Sequence, residues 1–125
     1  MGMKISTATH FPVPVDIDAQ DMRGSFVAYV ERLDDVRLAG IVDGMRDLVD
    51  RGATTQQLFE YRRETLRQHL DRVEGLTDDN GKMDPKGAAL EFVISNPACA
   101  LETFEALLSG QTSAAVKNSK PSRSR

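Results

Sequence analysis

At 125 residues with 40% hydrophobic content, the chain suits one globular domain with a modest core. Its net charge of −3 hides a division: all 19 acidic residues precede Gly110, where 12 basic groups leave a net of −7, and Lys117, Lys120, Arg123 and Arg125 give the rest of the chain +4. So acidic a body is a poor match for duplex DNA, whose affinity rests on neutralising phosphates. No apolar run approaches the roughly 20 residues of a membrane span, so neither nucleic acid nor membrane is an expected partner.

The start, MGMKISTATH, lacks the apolar h-region of a secretory signal, and a soluble intracellular protein is expected. Residues 1–8 read as a flexible N-terminus. From Thr9 to Asp18, Phe11, Val13, Val15 and Ile17 alternate with polar residues and with Pro12 and Pro14, the period of a strand with one buried face. Proline cannot donate to a β-ladder, so this strand belongs at a sheet edge. After a polar connection containing Gly24, Ser25 to Leu33 reads as its antiparallel partner in a hairpin spanning 9–33.

Asp34 or Asp35 caps the next helix, in which Leu38, Ile41, Val42, Met45, Leu48 and Val49 make an apolar stripe ended by Gly52. Gly40 and Gly44 lie one turn apart inside it, each costing roughly 1 kcal/mol relative to Ala, which a close helix contact or simple tolerance would account for. Thr54 or Thr55 starts a second helix running to about Val73, with Leu58, Phe59, Leu66, Leu70 and Val73 inward and Arg62, Arg63 and Arg67 outward. Asp78-Asp79-Asn80-Gly81 is a tight turn. Asp84-Pro85 and Asn96-Pro97 each pair an N-cap acceptor with a ring at helical φ and start two short helices, carrying Ala88, Ala89, Phe92 and Val93, then Ala100, Leu101, Phe104, Leu107 and Leu108. Gly110 reads as the C′ residue of the last one, followed by a disordered basic tail over 111–125. The expected fold class is α+β and mostly helical: one domain over 9–110, with an N-terminal β-hairpin packed on a small bundle of about four helices.

The chemistry these residues offer is sparse. Placing Gly81 sixth in a calcium loop puts Leu76 first and Gly87 twelfth, where oxygen ligands are required, so a solvated turn is expected. The glycines are too scattered for a phosphate loop. His10 and His69 lack metal-site or catalytic spacing and read as surface or half-buried residues. Cys99 has no partner for a disulfide or thiolate zinc site; one turn into a helix, it reads as a small buried thiol rather than a nucleophile. No catalytic residue, cofactor or metal site is assigned, and a non-enzymatic role is expected. The arginine face of Arg62, Arg63, Arg67 and Arg72 is suited to an acidic partner helix, but such runs are most often solvated, and Glu60, Glu64 and Asp71 offset it.

The order of these features resembles the tail assembly chaperones of long-tailed, siphovirus-type bacteriophages and prophages. Phe11-Pro12-Val13-Pro14-Val15 stands where that family has an FxVPV-like strand, and Arg32-Leu33 at the end of its second strand. Val73-Glu74-Gly75-Leu76 and Asp78-Asp79-Asn80-Gly81 stand at its turn, and Leu107 to Gly110 at its Leu-Ser-Gly-like stop. The tryptophan common in the family's turn region is absent. The resemblance implies a chaperone that binds the tape measure protein, keeps its apolar helices soluble and recruits tail tube protein. It would act in the host cell cytoplasm and be absent from the mature virion. A longer frameshifted product is common in the family, and a homo-oligomer is compatible with the apolar surface left over. The client groove is expected between the second helix and the last two, at Leu58, Tyr61, Arg62, Leu101 and Phe104. The alternative is a secretion-type chaperone or small adaptor for another client.

Overall fold

A computed structural model describes the backbone of residues 8–119 and the side chains of residues 8–112. The elements run β1 (His10–Ala19), β2 (Met22–Glu31), α1 (Asp35–Asp50), α2 (Thr55–His69), β3 (Leu70–Glu74), β4 (Thr77–Asp78), β5 (Gly81–Lys82), α3 (Ala88–Ser95) and α4 (Pro97–Ser119). The protein is α+β, with an N-terminal antiparallel hairpin and four helices. One buried cluster joins Val13, Val15 and Ile17 of β1 and Phe26, Ala28 and Val30 of β2 to Leu66, Val93, Ile94 and Leu107 of the helices.

The hairpin follows the alternation in the sequence, with Pro12, Pro14, Asp16 and Asp18 exposed between the buried residues. Its connection is Gln20-Asp21, and Gly24 lies within β2 rather than in the loop. Arg32 N donates to Thr9 O at 2.8 Å, and with His10 opposite Glu31 this makes the odd-numbered residues of β1 the ones bonded to β2. Pro12 and Pro14 therefore turn their ring nitrogens to the open edge, where no ladder bond is lost.

The second helix ends four residues earlier than expected, and the chain from Leu70 to Glu74 forms a third strand against β2, giving the order β1-β2-β3. Leu70 and Val73 both face the core, a spacing of three that suits a helix and not a regular strand. A bulge reconciles the two: Tyr29 pairs with Arg72 and Val30 with Leu70, so Asp71 is the extra residue and the inward face is reset. Val73 N then donates to Pro85 O at 3.0 Å, which occupies the far edge of β3.

The capping signals act largely as read. Asp34 Oδ1 accepts from Arg37 N at 2.8 Å, Thr54 and Gln57 form a reciprocal capping box, and Asn96 Oδ1 accepts from Cys99 N at 3.1 Å ahead of Pro97. Asp84-Pro85 differs: Asp84 O accepts from Gly87 N and Ala89 N, so the segment makes a turn first and α3 starts at Ala88. Asp78 to Gly81 folds as the tip of the β4–β5 hairpin, with Asp78 Oδ1 accepting from Asn80 N at 2.8 Å.

The largest difference lies at Gly110, which does not end a helix. α4 continues to Ser119, and a Cβ at Gly110 would stand 2.7 Å from Val13 Cγ1, so the missing side chain seats the helix on β1. One residue on, Gln111 Oε1 accepts from Leu33 N at 3.0 Å and its Nε2 donates to Glu31 O at 2.9 Å, tying α4 to the end of β2. Positions 111–119 of the expected tail are thus helical; residues 1–7 of the expected flexible N-terminus and 120–125 of the expected tail lie outside the described residues.

Candidate functional site

Of the residues named for the groove, Tyr61 and Phe104 meet at the seam of α2 with α4, where the fold uses both itself. Phe104 is 1% exposed and belongs to the core. Tyr61 stands edge-on to it, ring centroids 6.4 Å apart at 70°, and its hydroxyl donates to Ile41 O at 2.8 Å. Burial raises the Tyr61 hydroxyl pKa. Gly44 lies where a Cβ would run into that hydroxyl, so the close approach accounts for one of the two α1 glycines; a Cβ at Gly40 would meet open space.

Leu58 and Arg62 are half-buried and Leu101 is 37% exposed, so these three remain at the surface. Where α2 faces α4 there is a notch of about 10 Å³ lined by Phe59, Arg62, Arg63, Pro97 and Ala100. Its arginines are not equivalent to their neighbours. Arg67 bonds Glu91 at 3.1 Å, and Arg72 bonds Asp71 and Glu74 while stacking 3.7 Å over the Tyr29 ring. Arg63 reaches only Glu60, at 3.6 Å. Arg62 makes no hydrogen bond or ion pair among the described residues, and its Nε is sealed from solvent.

A larger apolar surface lies on α1. Of its stripe only Ile41 is buried; Leu38, Val42, Met45 and Leu48 are half-buried, Val49 is 57% exposed, and Val36, outside the stripe, is 75% exposed. The stripe divides into two seams: Ile41, Gly44 and Leu48 on one side, with Ile41 and Gly44 against Tyr61 of α2, and Leu38, Val42, Met45 and Val49 on the other, about 100° away around the helix. The second seam has the 4-3-4 spacing with which one helix packs along another. The sequence carried the signal, because six apolar positions exceed what one neighbouring helix covers.

Between α1 and α2 a cleft of about 350 Å³ is lined by Gly40, Ile41, Tyr61, Glu64 and Gln68. Arg37 and His69 also line it, and both bond Glu31: Arg37 Nη2 at 2.7 Å to Oε2 and His69 Nδ1 at 2.7 Å to Oε1. The hydrogen bond from Arg37, then that from His69, holds the Glu31 carboxyl below the ordinary carboxylate range. His69, half-buried as expected, thus helps tie the helices to the sheet. Cys99 is 2% exposed, and burial pushes its thiol pKa up, the opposite of an activated nucleophile.

No described helix is long and apolar enough to cross a membrane. Comparison with protein-family models, with characterised proteins and with solved structures gives no match.

Proposed function

We propose that this chain is a tail assembly chaperone of long-tailed bacteriophages, which binds the tape measure protein and recruits tail tube subunits in the host cytoplasm without entering the finished virion. The reading starts from the order of motifs along the sequence. The observation that supports it physically is the outer seam of α1, where Leu38, Val42, Met45 and Val49 offer half-exposed apolar surface at the spacing of a helix partner. A long client rich in apolar helices has the matching period. Strand addition at the β1 edge is a poorer mode, because Pro12 and Pro14 remove two of the donors an added strand needs.

Co-expression with a tape measure protein from the same genome, followed by pull-down and sizing, tests the reading. The expected result is a long protein that stays soluble only with this partner, and a Val42→Asp, Val49→Asp double variant that folds but no longer retains it. A tape measure protein that stays insoluble beside the wild-type chain removes the assignment and leaves the adaptor for another client.

A further inference from the structure

Every described arginine except Arg62 has a partner. Arg23 pairs with Asp18, Arg37 with Glu31, Arg46 with Asp43, Arg51 with Asp47, Arg63 with Glu60, Arg67 with Glu91, and Arg72 with Asp71 and Glu74; Arg32 donates to Ala8 O and stacks on Phe11. In a body with 19 acidic residues before Gly110, Arg62 alone among the described arginines has no carboxylate, carbonyl or ring partner. It is also partly desolvated: its Nε is cut off from water and from any acceptor, whereas its terminal nitrogens are not among the buried unpartnered atoms. A cation stripped of part of its hydration with nothing in return destabilises the fold, and it attracts an anion more strongly than a fully solvated one does. Phe59, Pro97 and Ala100 line the notch beside it, the exposed Leu101 follows Ala100 in α4, and Arg63 adds a second cation whose only partner among the described residues is distant.

We propose that Arg62, flanked by Arg63, is a carboxylate-recognition site that takes an acidic side chain of a partner's amphipathic helix, while Phe59, Pro97 and Leu101 hold the apolar residue beside it. The carboxylate lies across the two terminal nitrogens of Arg62, the planar pairing a guanidinium favours. The net charge of −7 before Gly110 repels a polyanion, so a single protein carboxylate suits the site where a nucleic acid backbone does not. The site does not depend on the client being a tape measure protein.

The test uses the full chain and two fluorescein-labelled helical peptides of the same Leu/Ala frame, one with Glu and one with Gln at the flanking positions. By anisotropy at low salt the Glu peptide binds at least ~10-fold more tightly, a difference of about 1.4 kcal/mol. Arg62→Gln abolishes that preference, and Arg62→Lys, which keeps charge but not the fork, restores it only in part. Arg62→Leu raises the thermal unfolding midpoint, because removing an unpartnered, half-desolvated cation relieves the fold. Equal binding of the two peptides, binding of neither, a preference that survives Arg62→Gln, or a lowered midpoint for Arg62→Leu overturns the proposal. So does concentration-dependent self-association that Arg62→Gln removes, because a second copy then supplies the carboxylate.

Discussion

Gly110 sits against Val13 so closely that a Cβ would stand 2.7 Å from Val13 Cγ1 and 3.6 Å from Phe11 Cε2. In an exposed helix, Gly→Ala stabilises by about 1 kcal/mol. Here the added methyl is overpacking against a β-branched side chain that is itself buried, which costs about 1–3 kcal/mol. Gly110→Ala is therefore expected to lower the unfolding free energy by up to about 2 kcal/mol in urea titrations, in place of the gain an exposed site would show. A stabilised variant would mean that α4 does not rest on β1 at this point.

Gly40 and Gly44, one turn apart in α1, should respond in opposite senses. Gly40→Ala meets open space and gains up to ~1 kcal/mol of helix propensity. Gly44→Ala drives a methyl into the Tyr61 hydroxyl, with ring carbon Cζ at 3.0 Å, and displaces the bond from Tyr61 to Ile41 O; a loss of about 1–3 kcal/mol follows. Removing the hydroxyl with Tyr61→Phe should recover part of that loss. Thermal melts of Gly40→Ala, Gly44→Ala and the Gly44→Ala, Tyr61→Phe double variant decide it, and two glycines that behave alike would contradict the crossing of α1 over Tyr61.

Glu31 sets a pH dependence whose sign follows from its depressed pKa. The carboxyl titrates lower in the folded chain than at its ordinary 4.5, so its stabilising contribution is complete above that value and disappears as pH falls through the folded pKa. Glu31→Gln is expected to lower stability at neutral pH and to flatten the acid limb of the stability curve. Urea midpoints measured from neutral pH to below 4.5 test this; parallel curves for variant and wild type would show that Arg37 and His69 do not hold Glu31 in solution.

The open edge of β1 is blunted where Pro12 and Pro14 turn their nitrogens outward. Replacing both by Thr keeps strand propensity and restores two donors on that edge. The double variant is expected to keep its monomer fold by circular dichroism and to aggregate faster, followed by light scattering and thioflavin fluorescence. Unchanged solubility on prolonged incubation would assign the prolines no protective role.

What the sequence by itself determined lies within a few residues of its signal. The alternation of Phe11, Val13, Val15 and Ile17 specified the inner face of β1, and Asp34 or Asp35, Thr54 or Thr55, and Asn96-Pro97 marked three helix starts, the structure selecting Asp34 and Thr54 as caps. Asp78 to Gly81 specified a reversal. Each is a local hydrogen bond or a local steric limit, complete in the segment that carries it.

Tertiary structure decided the rest. Leu66, Leu70 and Val73 have helical spacing, yet pairing with β2, more than forty residues earlier, made Leu70 to Glu74 a bulged strand. Gly110 has the identity of a helix stop, yet Val13 and the Gln111 clamp on Glu31 and Leu33 carried α4 past it. Phe104 and Tyr61 were legible as apolar surface of their helices, but only the packing of α4 on α2 and of α1 over Tyr61 removed them from the candidate site. The same packing left Arg62 without an acceptor among the described residues. Helix length, strand pairing and which polar group stays unpaired all depend on contacts between distant segments, whose energies exceed local preferences and are not written in any one segment.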